Sequence, residues 1–150
     1  MDNKKLIIAG ALGAALAAAA VGGAAWAHHA FAAEFDGKAP VLLRGKVTRV
    51  EWINPHAWVH INAVDPKTGQ TTAWMVEGGT PNTLMRSGIT KASLPPGTEI
   101  IVRGYQSKDK LCRPACKANG RDVTFPDGRK LFMGSSGTGA PKDGSDPNDK

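Results

Sequence analysis

A chain of 150 residues with a formal net charge of +6 has room for one ordinary domain. Its 19 basic residues are interleaved with 13 acidic ones rather than gathered into one stripe, which argues against a nucleic-acid groove. The basic run from Lys108 to Lys117 surrounds two cysteines and reads as a solvated loop.

The first residues have the three parts of a secretion signal. Lys4 and Lys5 make a positive start, Leu6 to Ala25 is an Ala/Gly/Leu/Ile run, and Ala25-Trp26-Ala27 is a small-x-small cleavage site. The run approaches the roughly 20 residues that span a bilayer, so an uncleaved anchor is the alternative. Its alanines and glycines make it weakly hydrophobic for a permanent helix. The expectation is a signal peptide over 1–27, a mature chain starting His28-His29, a periplasmic address and only transient contact with the membrane. Export also removes most nucleic-acid partners from reach.

Val41 to Ile53 is the first expected strand. Val41, Leu43, Gly45 and Val47 share a face, but the apolar positions then become Val50 and Trp52. Such a change of phase is what one extra residue, a β-bulge, produces. Asn54-Pro55 breaks the run, because proline has no N–H for a ladder. Ala57 to Val64 alternates cleanly: Ala57, Val59, Ile61 and Ala63 point one way, and His56, Trp58, His60 and Asn62 the other. Asp65 to Gly69 is a turn, and Thr71 to Glu77 returns as the third strand of a meander.

After Gly78-Gly79, Thr80 is a candidate N-cap with Pro81 in the first helical position and Gly88 past the end. Pro95-Pro96-Gly97 is a turn before a fourth strand, Glu99 to Tyr105. Arg121 to Phe125 and Arg129 to Met133 flank Pro126-Asp127-Gly128 and read as a hairpin. Residues 134–150 are too polar to bury a core and read as a disordered tail. The domain is therefore 28–133, and its fold is mainly all-β: a small OB-like barrel of five to six strands with one short helix between strands three and four. A β-sandwich would take the same strands without needing that helix.

Cys112 and Cys116 are expected to form a disulfide in an oxidising compartment, pinning a local turn. A Cys-x3-Cys pair is also a plausible soft-metal site. The four histidines fall in two short segments, His28 with His29 and His56 with His60. They read either as ordinary surface residues or as transition-metal ligands, with copper or zinc as the metal. Four residues on a strand span roughly 13 Å, so His56 and His60 cannot share one ion from a straight strand. A ligand set needs one of them with the terminal segment, where the amine and imidazole of His28 chelate together. Glu34, Asp36 and Glu77 are possible oxygen ligands. No nucleophile elbow, H-E-x-x-H or phosphate loop is present, so no catalytic residues are expected and the chain does not read as an enzyme. Trp52, Trp58 and Trp74 form either a stacking platform or part of the core.

Four motifs occur together: His28-His29-Ala-Phe31 with Glu34-Phe35-Asp36, Glu51-Trp-Ile-Asn-Pro-His56-Ala-Trp58, Glu77-Gly-Gly-Thr-Pro-Asn82, and Leu131-Phe-Met-Gly-Ser-Ser-Gly-Thr-Gly139-Ala-Pro141. In combination they resemble a family of small exported bacterial proteins classed as a domain of unknown function. The resemblance implies a secreted or periplasmic address and a β-barrel-like domain, with no assigned activity or cofactor. The Cys112/Cys116 stretch departs from the family pattern. The expectation is an exported binding protein holding copper or zinc through His28, His29, His56 and His60. Its alternative is a metal-free module whose face, carrying Trp58 and Asn62, docks an envelope protein or a small ligand.

Overall fold

A computed structural model describes residues 31–134; the expected signal peptide, His28, His29 and residues 135–150 lie outside that range. The elements are β1 (Phe35–Glu51), β2 (Trp58–Val64), β3 (Thr71–Glu77), helix α1 (Pro81–Arg86), a 3₁₀ turn (Lys91–Ser93), β4 (Glu99–Ser107), β5 (Cys116–Thr124) and β6 (Lys130–Phe132). The chain is mostly β, in one six-stranded sheet whose hydrogen bonds run in a ring, and its helices are short. None of these helices is long and apolar enough to cross a membrane, among the described residues.

β1 makes the ring possible by pairing on both edges. Antiparallel pairing joins it to β2 and to β4, and β2 to β3. β3 then pairs in parallel with β5, and β5 antiparallel with β4, so the ladder returns to β1. β6 adds to β5 as the expected hairpin. At Gly45 β1 faces Ala63 of β2 and Ile100 of β4 at once. A Cβ there would lie 2.1 Å from the Asn62 carbonyl oxygen, so the approach of β2 to the bent strand needs glycine.

The phase change in β1 is a bulge. Val47 opposes Ile61 and Arg49 opposes His60, which leaves Thr48 without a partner across the ladder. Its hydroxyl donates to the His60 carbonyl at 3.2 Å. Most strand ends fall within two residues of expectation, but two strands start several residues early. β1 begins at Phe35, six residues before Val41, with a register shift between Phe35 and Pro40. β5 begins at Cys116, not Arg121, because its first half is held by β3 on one side and β4 on the other.

Inside the ring, the expected faces of β1 and β2 supply Leu43, Val47, Ala57, Val59, Ile61 and Ala63, all buried. Val76, Val102 and Val123 complete the wall, and Leu84 of α1 closes one side of the core. α1 starts as its sequence requires: the Thr80 hydroxyl accepts from the Thr83 amide at 3.2 Å, with Pro81 in the first turn. Trp52 and Trp74 pack against this core, so of the three tryptophans considered as a platform only Trp58 stays with the outer face.

A smaller cluster forms outside the ring. Residues 31–34 are helical, and Phe31 lies 5.8 Å from Phe35 and 5.8 Å, edge-on, from Tyr105. This pins the chain before β1 onto the outer face of β4. Charges are also buried there. The Asp122 carboxylate accepts from Arg103 Nε and Arg121 Nε, each at 3.1 Å, and all three residues are buried.

Candidate functional site

Register sets the outer face of β2, β3 and β5. Trp58 opposes Glu77, and Glu77 opposes Asn119, so these three side chains form one row across three strands. The next row is His60, Met75 and Lys117. His56 lies just ahead of β2, after a cis Asn54–Pro55 bond. Two backbone bonds hold this segment against the end of β3: the Ala57 amide donates to Gly79 at 3.0 Å, and the Gly78 amide to Ala57 at 2.8 Å.

That strap brings the His56 ring against Gly78 and Glu77. Nδ1 is 3.3 Å from the Gly78 carbonyl oxygen and 3.7 Å from Glu77 Oε1. Glu77 is buried and also accepts from Asn119 Nδ2 at 3.2 Å. Burial pushes the Glu77 carboxyl above its ordinary range. The neighbouring His56 opposes that shift, Glu34 reinforces it, and the Asn119 hydrogen bond and Lys117 oppose it.

Around this pair stands an ionic rim. Lys117 makes an ion pair with Glu34, brought there by the helical turn at 31–34. The hydrogen bond to Glu34 holds the ammonium above its usual value, against the cost of burial. The same Nζ lies 5.6 Å from the centre of the Trp58 ring, a cation–π contact. The sequence places Lys117 in a solvated basic loop and does not single out Asn119, whereas both stand in β5. Both sit in the half of β5 that alternation did not reveal, whereas Glu34 and Glu77 were recognised as possible oxygen donors.

His60 corrects an expectation. It faces outward by register but is only 7% exposed. The bulge at Thr48 sets Arg49 opposite it and Glu51 opposite Trp58. Glu51 Oε1 takes Arg49 Nη2 at 2.8 Å and His60 Nε2 at 3.0 Å. Burial lowers the His60 pKa, the Arg49 charge adds to the effect, and Glu51 partly opposes it. His56 and His60 therefore turn to different carboxylates and are not brought together. Among the described residues no group of three or more His, Cys, Asp or Glu side chains is placed to hold a metal ion. Trp58 is half-buried and Asn62 exposed, with His60 between them on the same face.

Cys112 and Cys116 are joined in a disulfide as expected, at the start of β5. This excludes the soft-metal alternative for the pair in its oxidised form, since thiolates are the ligands.

No curated protein and no solved structure matches the chain. Residues 15–113 match DUF6152, a family of unknown function. That match covers all of β1 to β4 together with His28, His29, His56, His60 and Glu77, and the chain belongs to this family.

Proposed function

We propose that this is an exported periplasmic binding protein, not an enzyme, built on an OB-type barrel. In this reading it takes copper or zinc at His56 together with His28 and His29. Cleavage after Ala27 makes His28 the terminal residue, so that its amine joins the ligand set. The OB reading is supported by the ring order β1–β2–β3–β5–β4 with α1 between β3 and β4.

One observation carries the metal reading: the contact of His56 Nδ1 with the Gly78 carbonyl oxygen at 3.3 Å. A carbonyl oxygen only accepts, so the contact with Gly78 places the proton on Nδ1. The Nε2 lone pair is then the ligand, and metal-bound histidines are ordinarily oriented through such a bond on the other nitrogen. The carboxylate of Glu77, 3.7 Å from Nδ1, lies on the same side of the ring and helps to fix its orientation. His60 offers less, because its Nε2 is committed to Glu51 and its ring is buried.

Copper(II) titration of the chain beginning at His28, read by tryptophan fluorescence, tests this. Trp58 is close enough in sequence to His56 to report on it. Saturable quenching should be lost in His56→Ala and on adding one residue before His28, and kept in His60→Ala. Binding should fall steeply below about pH 6, because the terminal amine and the imidazoles bind a metal only when deprotonated. Equal copper affinity in the N-terminally extended protein removes the terminal chelate.

The second reading, a metal-free module, draws on a different observation, the Lys117–Trp58 stack. That amphipathic surface with Asn62 suits an envelope protein or small ligand. Absence of copper or zinc binding below millimolar concentration in both forms would favour it.

A further inference from the structure

Away from His56, residues of β1, β2, β4 and the end of β5 line a second concavity. A cleft of about 670 Å³ lies where β1 bends at Gly45, inside the range of roughly 300–1,000 Å³ common for small-molecule sites. Its walls carry Arg44, Lys46, Asn62, Val64, Ile101 and Phe125. The hydrogen-bond and ion-pair partners of His56 and Glu77 are Gly78 and Asn119 and each other, none of them in these walls, so the cleft stands apart from the metal reading.

Charge in the cleft is uneven. Lys46 Nζ is 3.4 Å from Glu99 Oε1, and this pair cancels. Arg44 is exposed and has no acidic partner among the described residues. Its planar guanidinium matches a carboxylate through two parallel hydrogen bonds. Beside it Val64 is 46% exposed, an apolar side chain left in water, with Ile101 half-buried and the core residue Phe125 forming the floor. An occupant therefore meets one uncompensated cation and an apolar wall. A neutral apolar body would desolvate Arg44 without replacing its hydrogen bonds, which is costly. A dianion would leave one charge unmatched.

We propose that this cleft binds an amphipathic monocarboxylate, its carboxylate on Arg44 and its apolar body along Val64, Ile101 and Phe125. Asn62 supplies a further polar contact at the rim.

Amide NMR titration of the full chain tests the proposal, with octanoate as probe and octanol and octylammonium as its neutral and cationic counterparts. Octanoate should give saturable shifts at Gly45, Asn62, Ile101 and Thr124 and none at Trp58 or Glu77. Arg44→Gln removes only an exposed side chain, so the fold should survive, and octanoate affinity should fall at least about tenfold, roughly 1.4 kcal/mol. Lys46→Gln should change it little. Octanol binding as tightly as octanoate, unchanged affinity in Arg44→Gln, or shifts that do not saturate below millimolar concentration would each overturn the assignment. Copper binding is unaffected by any of these outcomes, so this proposal and the metal reading fail separately.

Discussion

The inside and the outside of the ring bury residues for different reasons. Inside, Leu43, Val47, Val59, Ile61, Val76 and Val102 are apolar side chains removed from water by the closure of the sheet itself. Outside, Asp122, Glu77 and His60 are nearly as well covered, yet each is polar and each holds a specific partner. Interior burial tolerates apolar side chains of suitable volume, whereas exterior burial depends on particular pairs being complete. The outer face is therefore where small changes should have sharply different effects.

The largest effect is expected at Asp122. Its two oxygens serve Arg103 and Arg121, so Asp122→Ala leaves two buried guanidinium groups without that carboxylate. Removing one partner of a buried ion pair costs about 3–5 kcal/mol, and urea unfolding should show a loss of that size. A loss near that of an exposed pair, roughly 0–1 kcal/mol, would mean that water reaches these groups and that inside and outside differ less than argued. Ile61→Ala is the interior counterpart, at about 2–5 kcal/mol for a fully buried aliphatic side chain. The two variants together measure whether a completed pair outside matters as much as apolar volume inside.

The disulfide should matter less. Cys112 and Cys116 are four residues apart, and so short a loop restricts the unfolded chain little, by about 2 kcal/mol at most. The double variant Cys112→Ser, Cys116→Ser should keep its fold and lose hydrogen-exchange protection mainly at Cys116 to Ala118, where β5 begins. Protection lost across the whole ring would show that the bridge supports the β3–β5 closure rather than a turn.

The same division explains what could be read before folding. The β1 bulge was legible from the shift between Val47 and Val50, the β2 faces from strict alternation, and the α1 start from Thr80-Pro81. All three are local patterns. The start of β1 was hidden because Gly37 to Pro40 carries no apolar alternation, and it is held by β4 and by the Phe31–Tyr105 contact. The first half of β5 was hidden because Lys117, Asn119 and Gly120 are poor strand formers, overridden by ladders on both sides. For the site, His56, Trp58 and Glu77 were legible as residue types with known chemistry. That His60 is covered was not, since its cover comes from a distant strand turned by one extra residue.

His60 gives the smallest expected effect and the closest test of that last point. Burial holds its pKa below the ordinary value of 6.5, so as pH falls through 6.5 the unfolded chain takes up a proton here before the folded chain does. The unfolded state then binds more protons, and stability rises with pH across the window from the lowered folded pKa up to about 6.5. It is lost as pH falls through that window, and one proton limits the slope to about 1.4 kcal/mol per pH unit. Glu77 acts in the opposite sense: its raised carboxyl binds a proton in the folded state first, so its contribution falls as pH rises. A single profile mixes the two with the other histidines. The difference between wild type and His60→Gln, measured by urea unfolding at intervals from pH 8 down to 5, removes everything common to both. That difference should be flat above 6.5 and slope below it, with the wild type losing ground as acid is added. A flat difference throughout would mean that His60 titrates as a solvated surface residue, and that the outer face over β2 is open.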